Sequence, residues 1–238
     1  MTKQAPKVYL LDIEGTVAPL SLVTEQLFPY ARAHFPSFLR KHANDEDVRT
    51  DLVLLAEENR ADPDNDRPAF NDVPGTESAL AYLLWLMDHD RKSTALKSLQ
   101  GKIWKAGFES GGLLGTLFPD VPTALKAWST QARIAIYSSG SVEAQQLLFR
   151  YSNYGDLTSY LWGYFDTRTG RKTAASSYSA IAESMHAEPA GILFFSDAVP
   201  ELDAAREAGC NTRLVVRPGN PAVKEGHGHL SIESFQHL

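Results

Sequence analysis

Four short groups of polar residues in this 238-residue chain combine side chains that can act together chemically. Carboxylates hold cations and exchange protons, hydroxyl and backbone N–H groups bind anions, and a lysine neutralises negative charge. Together these residue types are suited to binding an anion beside a metal ion. The groups are Asp12 with Glu14, Ser138 with Ser139, Lys172, and Asp197.

The first group places two carboxylates close together. Asp12 and Glu14 are two residues apart, so in strand geometry both side chains point the same way and repel each other unless a cation lies near them. Gly15 follows and lets the chain turn where a side chain would clash. A divalent cation held by Asp12, Asp197 and a backbone oxygen would offset this repulsion. A few protein ligands with several waters is the usual binding mode of Mg²⁺.

Two further groups could bind an anion. Lys172 begins the helical pattern KTAASSYSAIAESM, and a cation at a helix N-terminus lowers stability unless an anion is bound beside it. Ser138 and Ser139 begin a serine-rich turn between a strand and a helix, where hydroxyl and N–H groups can hold an anion. Each group has a simpler alternative, because Lys172 can be an exposed residue before a helix and serines commonly cap helices.

Short apolar runs precede three of these groups and predict the elements that position them. Such runs, with β-branched and aromatic residues, are typical of strands buried on both faces of a parallel sheet. The predicted strands are residues 8–11, 133–137, 192–195 and 212–216, and the predicted helices include residues 142–150 and 200–208. Strands alternating with helices predict an α/β fold with a doubly wound, Rossmann-like parallel sheet. The polar groups then meet beyond the carboxyl ends of the strands, where ligands bind in such sheets.

The segment between the first and second predicted strands has a different character. Residues 24–107 contain amphipathic patterns and no convincing strand, which predicts a helical insertion. Within it, residues 44–73 carry ten acidic and three basic residues. Because these carboxylates lack the spacing of metal ligands, we expect them on a solvated helix face and loop. The rest of the chain is then close to neutral, which favours the approach of an anion to the core.

The composition excludes several classes of protein. With 23 basic and 29 acidic residues the net charge is −6, and no basic patch is evident, so nucleic acid is not an expected partner. The single cysteine, Cys210, excludes internal disulfides and is expected to be a packed, inert thiol. The first apolar run ends at Asp12 and no run is long enough to span a membrane, so we expect a cytoplasmic protein without a membrane partner. His227 and His229 are expected in a solvated loop, because further metal ligands are lacking.

Taken together, the four groups resemble the motifs of the haloacid dehalogenase superfamily of aspartate-nucleophile phosphatases. In that superfamily an Asp-x-Asp-Gly-Thr motif, a strand ending in Ser or Thr, a Lys, and a strand ending in acidic residues occur in this order. Here DIEGT, Ser138, Lys172 and Asp197 match them, with Glu14 in place of the usual second Asp. That departure resembles the enolase-phosphatases of methionine salvage, also called acireductone synthases. The strings YSSGSVEAQQLLF, GYFDTRTGRKTAASSYSAIA and FFSDAVPELDAAREAG are similar to the same family.

The resemblance implies a helical cap domain inserted after the first strand. Residues 1–20 and 117–238 would form the α/β core and residues 21–116 the cap, where Trp85 or Trp104 either contacts the substrate or packs in the core of the helices. It also implies a Mg²⁺-dependent phosphoric monoester hydrolase that acts as a monomer. Its substrate would be a small phosphorylated diketone, 2,3-diketo-5-methylthiopentyl 1-phosphate, which is enolised and then dephosphorylated to the acireductone 1,2-dihydroxy-3-keto-5-methylthiopentene.

The resemblance further implies a role for each site residue. Asp12 attacks phosphorus and forms an aspartyl-phosphate, while Glu14 protonates the leaving oxygen and then activates water. The implied substrate-binding residues are Ser138, Ser139 and Lys172, and the implied Mg²⁺ ligands are Asp12, Glu14 through its backbone carbonyl, and Asp197. The base that enolises the substrate is open, and our hypothesis is that Glu14 serves in both steps.

Other functions share parts of this pattern. A generic phosphatase or phosphomutase of the same superfamily, acting on another small phosphorylated metabolite, would use the same residues. A receiver module of the response-regulator type carries its phosphoacceptor aspartate on a later strand and has no insertion after the first. A metal-free dehalogenase would leave Glu14 and Asp197 without a cation. The order of the motifs and the paired carboxylates therefore favour a metal-dependent phosphatase.

Overall fold

A computed structural model describes residues 5–70, 75–224 and 226–236. The chain forms two compact units, one of Met1–Thr24 with Leu114–Leu238 and the other of Glu25–Leu113. The domain boundaries expected from the sequence lie a few residues from these. A cap function for the second unit stays a prediction.

The first unit is built around a sheet of six parallel strands in the order β3-β2-β1-β4-β5-β6. The strands are β1 (Val8–Leu11), β2 (Arg133–Tyr137), β3 (Gly163–Phe165), β4 (Ile192–Ser196), β5 (Asn211–Val215) and β6 (Leu230–Ile232). The four predicted strands are confirmed, two of them with the predicted bounds. Sequence analysis missed β3 and β6, because these edge strands of three residues present no apolar run.

One face of the sheet is buried by two helices. The first-unit helices are α5 (Val121–Trp128), α6 (Val142–Arg150), α7 (Ala175–Ser184) and α8 (Val199–Glu207). Since side chains alternate along a strand, Val8 and Leu10 of β1 point to the same face, where they cluster with Tyr178 of α7 and Leu202 of α8. Burying each of these large apolar side chains contributes about 1.5–3 kcal/mol, which anchors the centre of the sheet.

Aromatic side chains bury the other face. Tyr9 of β1 stacks on Trp128 of α5 with ring centroids 4.4 Å apart, and Trp128 stacks on Phe195 of β4 at 5.5 Å. Phe235, near the end of the described chain, meets Trp128 edge-on at 5.2 Å. Burial on both faces explains why β1 and β4 are uninterrupted apolar runs. The predicted α/β architecture is confirmed.

The predicted helix over residues 142–150 is confirmed as α6, and α8 lies within one residue of its predicted bounds. The prediction that Lys172 begins a helix is wrong. The helix α7 starts at Ala175, and Lys172 lies in the preceding turn. Its carbonyl oxygen accepts a hydrogen bond from the Tyr178 hydroxyl at 2.7 Å, so this turn is fixed by side chains of α7.

The second unit is helical, as predicted. Its helices are α1 (Phe28–His42), α2 (Glu46–Ala61), α3 (Thr76–Asp88) and α4 (Thr94–Glu109), and a π-helical segment, Leu22–Leu27, precedes α1. A core that includes Phe35, Leu52 and Leu83 holds them together. Trp85 is buried in this core, and half-buried Trp104 packs against it and donates its indole N–H to the Leu27 carbonyl at 2.8 Å. Both tryptophans therefore have a structural role within the unit.

The expectation that the acidic residues of the insertion form a solvated surface is wrong for two of them. Asp51 is buried and accepts hydrogen bonds from Lys102 at 2.5 Å and from Ser98 at 2.8 Å. The buried carboxylate of Asp62 pairs with Arg91 at 2.7 Å. Asp51 therefore links α2 to α4, and Asp62 links the segment after α2 to the segment before α4. Residues 71–73 of the acidic stretch lie outside the described residues.

Two single-residue expectations had opposite outcomes. Cys210 is buried, and burial raises the pKa of its thiol to about 12, so the predicted inert thiol is confirmed. His229 is also buried, which contradicts the expected solvated loop. Its ring bridges Thr212 of β5 at 2.8 Å and Asp203 of α8 at 3.1 Å. Among the residues that the model describes, every helix is too short or too polar to cross a membrane.

Candidate active site

Asp12 lies at the end of β1, in the middle of the sheet. Its backbone N–H donates to the Phe195 carbonyl at 3.0 Å, which continues the pairing of β1 with β4 by one residue. The carboxylate is 3 % exposed, and its Oδ1 accepts a hydrogen bond from the Ile13 N–H at 2.7 Å. Asp12 is thus held by the sheet and its own turn, as a nucleophile with a fixed direction of attack must be.

A tight turn follows Asp12 and directs the chain away from the sheet. The N–H groups of Thr16, Val17 and Ala18 all point to the Ile13 carbonyl, at 2.9–3.1 Å. Gly15 has φ +70°, a conformation that costs a residue with a side chain. A Cβ atom at Gly15 would also overlap the Asp197 carboxylate. This position therefore requires glycine both for its backbone angle and for the close approach of Asp197.

Glu14 lies between the Asp12 carboxylate and a buried serine. Ser138, 1 % exposed at the end of β2, donates from Oγ to Glu14 Oε2 at 3.4 Å. Burial and the charge of Asp12 raise the pKa of the Glu14 carboxyl, which Lys172 and Ser138 only partly offset. A carboxyl group with a raised pKa holds a proton more readily, so Glu14 is suited to proton transfer.

Lys172 is the cation that faces these carboxylates. Its Nζ lies 2.5 Å from Asp12 Oδ1 and 2.7 Å from Glu201 Oε2. Burial alone would lower the pKa of Lys172, but the charges of Asp12 and Glu201 raise it above its ordinary value. Lys172 is therefore a permanent positive charge beside Asp12. The anion-binding interpretation of this lysine is favoured over that of an exposed residue before a helix.

Three buried hydroxyl groups hold the turn that carries Lys172. Tyr137 donates to the Gly170 carbonyl at 3.1 Å, Ser177 to the Arg171 carbonyl at 2.8 Å, and Tyr178 to the Lys172 carbonyl at 2.7 Å. Each of three successive carbonyl groups thus has its own donor. This fixes the backbone from which the long lysine side chain reaches Asp12.

Asp197 follows β4 and completes the set of predicted carboxylates. Burial raises the pKa of its carboxyl to about 6, and the charges of Asp12 and Glu201 add to this effect. The structure therefore brings both Glu14 and Asp197 close enough to Asp12 for its charge to act on them.

Ser139 lies at the surface, next to Ser138 in the chain. It is exposed, and in the described part of the chain it makes no hydrogen bond to them. Gly140 donates its N–H to Ser138 Oγ at 3.2 Å, and Ser141 caps α6 by accepting from the Ala144 N–H at 3.2 Å. In the serine-rich turn the Ser138 hydroxyl faces the carboxylates, and the Ser141 hydroxyl caps α6. The anion-binding interpretation therefore remains for Ser138, and the helix-cap interpretation holds for Ser141.

Sequence analysis missed Glu201. It lies in the first turn of α8, where it accepts from Ser196 Oγ at 2.9 Å and pairs with Lys172. Burial and the charge of Asp12 raise the pKa of its carboxyl. Its place in the first turn of the helix that directly follows Asp197 was the available signal.

Asn220 and Arg217 were missed as well. Both lie in the segment after β5 and donate to carbonyl groups of the turn after Asp12: Asn220 Nδ2 to Gly15 at 2.9 Å and Arg217 Nε to Thr16 at 3.1 Å. The string VVRPGN contains them, but nothing in the sequence indicates that this segment contacts the turn after Asp12, about two hundred residues earlier.

The site has the charge and donor types that a divalent cation requires. Four buried or half-buried carboxylates, those of Asp12, Glu14, Asp197 and Glu201, face a single lysine. No three His, Cys, Asp or Glu side chains in the described ranges are arranged as a ligand set. Two carboxylates with a backbone carbonyl and waters would still fit a hard cation such as Mg²⁺. The residues therefore fit a weakly coordinated divalent metal.

The chain is similar over its length to a family of hydrolases. Residues 6–209 match the family model of haloacid dehalogenase-like hydrolases. The chain is 50 % identical over 232 residues to enolase-phosphatase E1 of Synechococcus elongatus, covering 96 % of each chain. It is 44 % identical over 233 residues to enolase-phosphatase E1 of Leptospira borgpetersenii, covering 98 % of each chain.

A solved structure shares the fold. The crystal structure of the UTR4 protein of Saccharomyces cerevisiae matches with a TM-score of 0.80 and 37 % identity, over 98 % of this chain and all of that one. Haloacid dehalogenase-like hydrolases generally use a divalent metal, in agreement with the excess of carboxylates around Lys172.

Proposed function

We propose that this chain, which belongs to the enolase-phosphatase family of haloacid dehalogenase-like hydrolases, is a bifunctional enolase-phosphatase of methionine salvage. Its substrate is 2,3-diketo-5-methylthiopentyl 1-phosphate, which it enolises and then dephosphorylates to the acireductone. The observation that carries this proposal is the position of Glu14, a buried carboxyl with a raised pKa, between the Asp12–Lys172 pair and Ser138. At this position one carboxyl group can protonate the leaving oxygen in the phosphatase step and carry the carbon-bound proton in the enolase step.

In the phosphatase half, Asp12 attacks phosphorus, and the bond from phosphorus to the enol oxygen breaks. After enolisation Glu14 takes up a proton from solvent and gives it to the leaving oxygen, so that it is again a carboxylate. Glu14 then takes a proton from water, whose oxygen attacks the aspartyl-phosphate, releases phosphate and restores Asp12, and Glu14 returns this proton to solvent before the next enolisation. Lys172 lies 2.5 Å from Asp12 and neutralises the charge of the transferred group.

We propose Mg²⁺ as the divalent cation, held by the Asp12 and Asp197 carboxylates and the Glu14 backbone carbonyl. When bound, it neutralises charge on the phosphate and polarises a carbonyl oxygen of the diketone. The predicted ligand Asp197 supports this assignment, because burial and then the charges of Asp12 and Glu201 raise the pKa of its carboxyl, and a cation beside it would favour the ionised form.

In the enolase half, Glu14 acts as the base. Its carboxylate takes the carbon-bound proton next to a carbonyl group and returns it to the carbonyl oxygen, giving the enol. Ser138 donates to Glu14 at 3.4 Å and so holds the carboxylate beside the substrate, and exposed Ser139 is left to orient the diketone.

The activity is tested with the purified protein and the diketo phosphate. We expect enol absorbance to appear, followed by inorganic phosphate, with both lost in EDTA and restored by Mg²⁺. Asp12→Asn should remove phosphate release, whereas Asp90→Asn, at an exposed residue with positive φ that asparagine tolerates, should leave it unchanged. Phosphate release from many sugar phosphates without enol formation would instead indicate a generic phosphatase.

Glu14→Asp tests whether one residue serves both steps. The shorter side chain withdraws the carboxylate by about 1.5 Å, the length of one carbon–carbon bond. We expect enolisation and dephosphorylation to fall together, each by about 100-fold, because general acid–base catalysis contributes about 10²–10⁴-fold. Normal enolisation beside slow phosphate release would assign the base to another residue.

The location and partners are part of the proposal. We place the protein in the cytoplasm as a monomer without nucleic-acid or membrane partners, supported by its net charge of −6 and its inert, buried cysteine. Cell fractionation and light scattering of the purified protein test these points.

A further inference from the structure

Asn220 has an amide whose orientation is fixed by its surroundings. Its Nδ2 donates to the Gly15 carbonyl at 2.9 Å and lies 3.4 Å from the Val215 carbonyl. Both neighbours are acceptors, so the nitrogen must face them, and the amide oxygen Oδ1 must face the other way. The assignment of oxygen and nitrogen in this side chain thus follows from its contacts.

The oxygen of this amide and the Asp197 carboxylate both lie beside Gly15. Asn220 Oδ1 lies 3.1 Å from the point where a Cβ atom of Gly15 would be, and Asp197 Oδ2 lies against the same point. Because Gly15 has no side chain, both oxygens can approach the backbone at this point. Two oxygen acceptors therefore face the same small space beside the turn after Asp12.

Asn220 Oδ1 also has no hydrogen-bond donor among the described residues, although the atom is buried. Buried carbonyl oxygens nearly always have a donor, because losing water without replacing its hydrogen bond is unfavourable. Two acceptors side by side require either donors or a cation between them. A hydrated divalent cation satisfies both oxygens, since its waters donate hydrogen bonds and its charge attracts the carboxylate.

We infer that Asn220 is a positioning residue of the proposed metal site, with its Nδ2 holding the Gly15 carbonyl and its Oδ1 serving as an oxygen acceptor for the hydrated cation beside Asp197. The inference rests on the proposed function, which requires a divalent cation at Asp197. It adds a residue from the segment after β5, outside all four motifs that the sequence analysis identified.

The amide has two separable contributions. The Nδ2 group fixes the turn after Asp12, and the Oδ1 atom faces the cation. Asn220→Ala removes both, whereas Asn220→Asp removes the donor, keeps an oxygen and adds negative charge. A purely structural role predicts that both substitutions weaken cation binding equally. The acceptor role predicts opposite directions, because only the alanine variant loses the oxygen.

The test is a titration of the full-length, substrate-free protein with Mn²⁺, in which the free ion is measured by electron paramagnetic resonance. We expect Asn220→Ala to weaken Mn²⁺ binding about tenfold, as loss of an outer-shell partner does in other metal sites. Asn220→Asp should bind Mn²⁺ at least as tightly as the natural protein. Asn211→Ala is the matched control, because Asn211 is an exposed asparagine of the adjacent strand β5 whose Nδ2 donates to Ala190 at 2.8 Å. It should bind like the natural protein.

Several results would overturn the inference. Mn²⁺ binding by Asn220→Ala within twofold of the natural protein would do so, as would equal weakening in Asn220→Ala and Asn220→Asp. If the alanine variant does not fold by circular dichroism, the aspartate variant decides, since weaker binding by a folded Asn220→Asp contradicts the acceptor role. Absence of Mn²⁺ binding by the natural protein also contradicts it. Normal Mn²⁺ binding without turnover of the diketo phosphate would refute the proposed substrate but not the role of Asn220.

Discussion

At the scale of single residues, the site is organised by one lysine among four carboxylates. Lys172 pairs with Asp12 and Glu201, while Glu14 and Asp197 have no cationic partner at hydrogen-bond distance in the described part of the chain. Burial and the charge of Asp12 raise the pKa values of these two carboxyls. Without a metal ion, ionisation of all four carboxylates therefore destabilises the folded protein. Such clusters of groups with shifted pKa values are common at functional sites.

This arrangement predicts how stability depends on pH. The Asp197 carboxyl has a pKa raised from 3.8 to about 6, so the folded state binds its proton more tightly, and this stabilisation is present below pH 4 and lost as the pH rises through about 6. In EDTA, Asp197→Asn should raise Tm at pH 7.5 by about 2–4 °C, the shift that ~1 kcal/mol produces in a protein of this size. The gain should vanish near pH 4.

Differential scanning calorimetry at both pH values measures this effect. Asp90→Asn, at an exposed site, serves as the control and should change Tm little at either pH. A gain from Asp197→Asn that is equal at pH 4 and pH 7.5 would show that removal of the charge is not its cause.

At the scale of elements, strand β2 and helix α7 act together to present Lys172. Tyr137 lies one residue before Ser138, and Tyr178 lies on α7, with the two rings edge-to-face at 5.6 Å. Their hydroxyls hold the carbonyls of Gly170 and Lys172. The turn between β3 and α7 therefore derives its shape from the elements packed behind it.

Tyr178→Phe should lower activity without changing the fold. The Lys172 carbonyl would lose its donor, which costs about 1–3 kcal/mol. The backbone that carries the Lys172 side chain would then no longer be held in place. We expect kcat/KM for phosphate release to fall about tenfold and Tm to fall by several degrees. Steady-state kinetics and thermal unfolding measure the two effects.

Tyr164→Phe is the matched control for this substitution. The Tyr164 hydroxyl is buried on β3 and has no hydrogen-bond partner among the described residues, so its removal should leave both kcat/KM and Tm unchanged or slightly raise Tm. Identical behaviour of the two phenylalanine variants would mean that the Tyr178 hydroxyl does not position Lys172.

At the scale of the whole molecule, a buried ion pair joins distant parts of the first unit. Arg217 pairs with Asp120 at 2.9 Å and lies over the rings of Phe118 and Phe235. Asp120 also accepts from the Phe235 N–H at 2.7 Å. This cluster connects the start of α5, the segment after β5 and the last described residues, and Arg217 extends it to the turn after Asp12.

Asp120→Ala should therefore destabilise the protein strongly. Breaking a buried ion pair leaves an uncompensated charge and costs about 3–5 kcal/mol. Burial opposes ionisation of Asp120, but Arg217 and the Phe235 N–H lower the pKa of its carboxyl below its ordinary value. Its contribution is present above about pH 4 and lost as the pH falls, so the deficit should be large at pH 7 and shrink in acid.

Chemical denaturation at pH 7 and pH 3.5 tests this expectation. Asp88→Ala removes an exposed ion pair with Arg32 and should change the free energy of unfolding little, because solvent screens such pairs. A deficit for Asp120→Ala as small as that for Asp88→Ala would show that the buried cluster does not stabilise the fold.

Features that depend on neighbouring residues could be predicted from the sequence. An apolar run buried on both faces must be a strand, and the polar residue after it must lie at the carboxyl end of the sheet, so Asp12, Ser138 and Asp197 could be placed from their immediate context. The helical insertion was equally visible, because amphipathic periodicity is local. Short edge strands were missed because three residues carry too little pattern.

Which distant groups meet depends on tertiary packing and could not be predicted from the sequence. Asn220 reaches a turn 205 residues earlier, Lys172 reaches a carboxylate 160 residues away, and His229 is buried by contacts with Thr212 and Asp203. The physical reason is that a polar side chain indicates what it can bond but not where its partner lies. Packing of the sheet and helices supplies the partner, and with it the burial that sets each charge and pKa in the site.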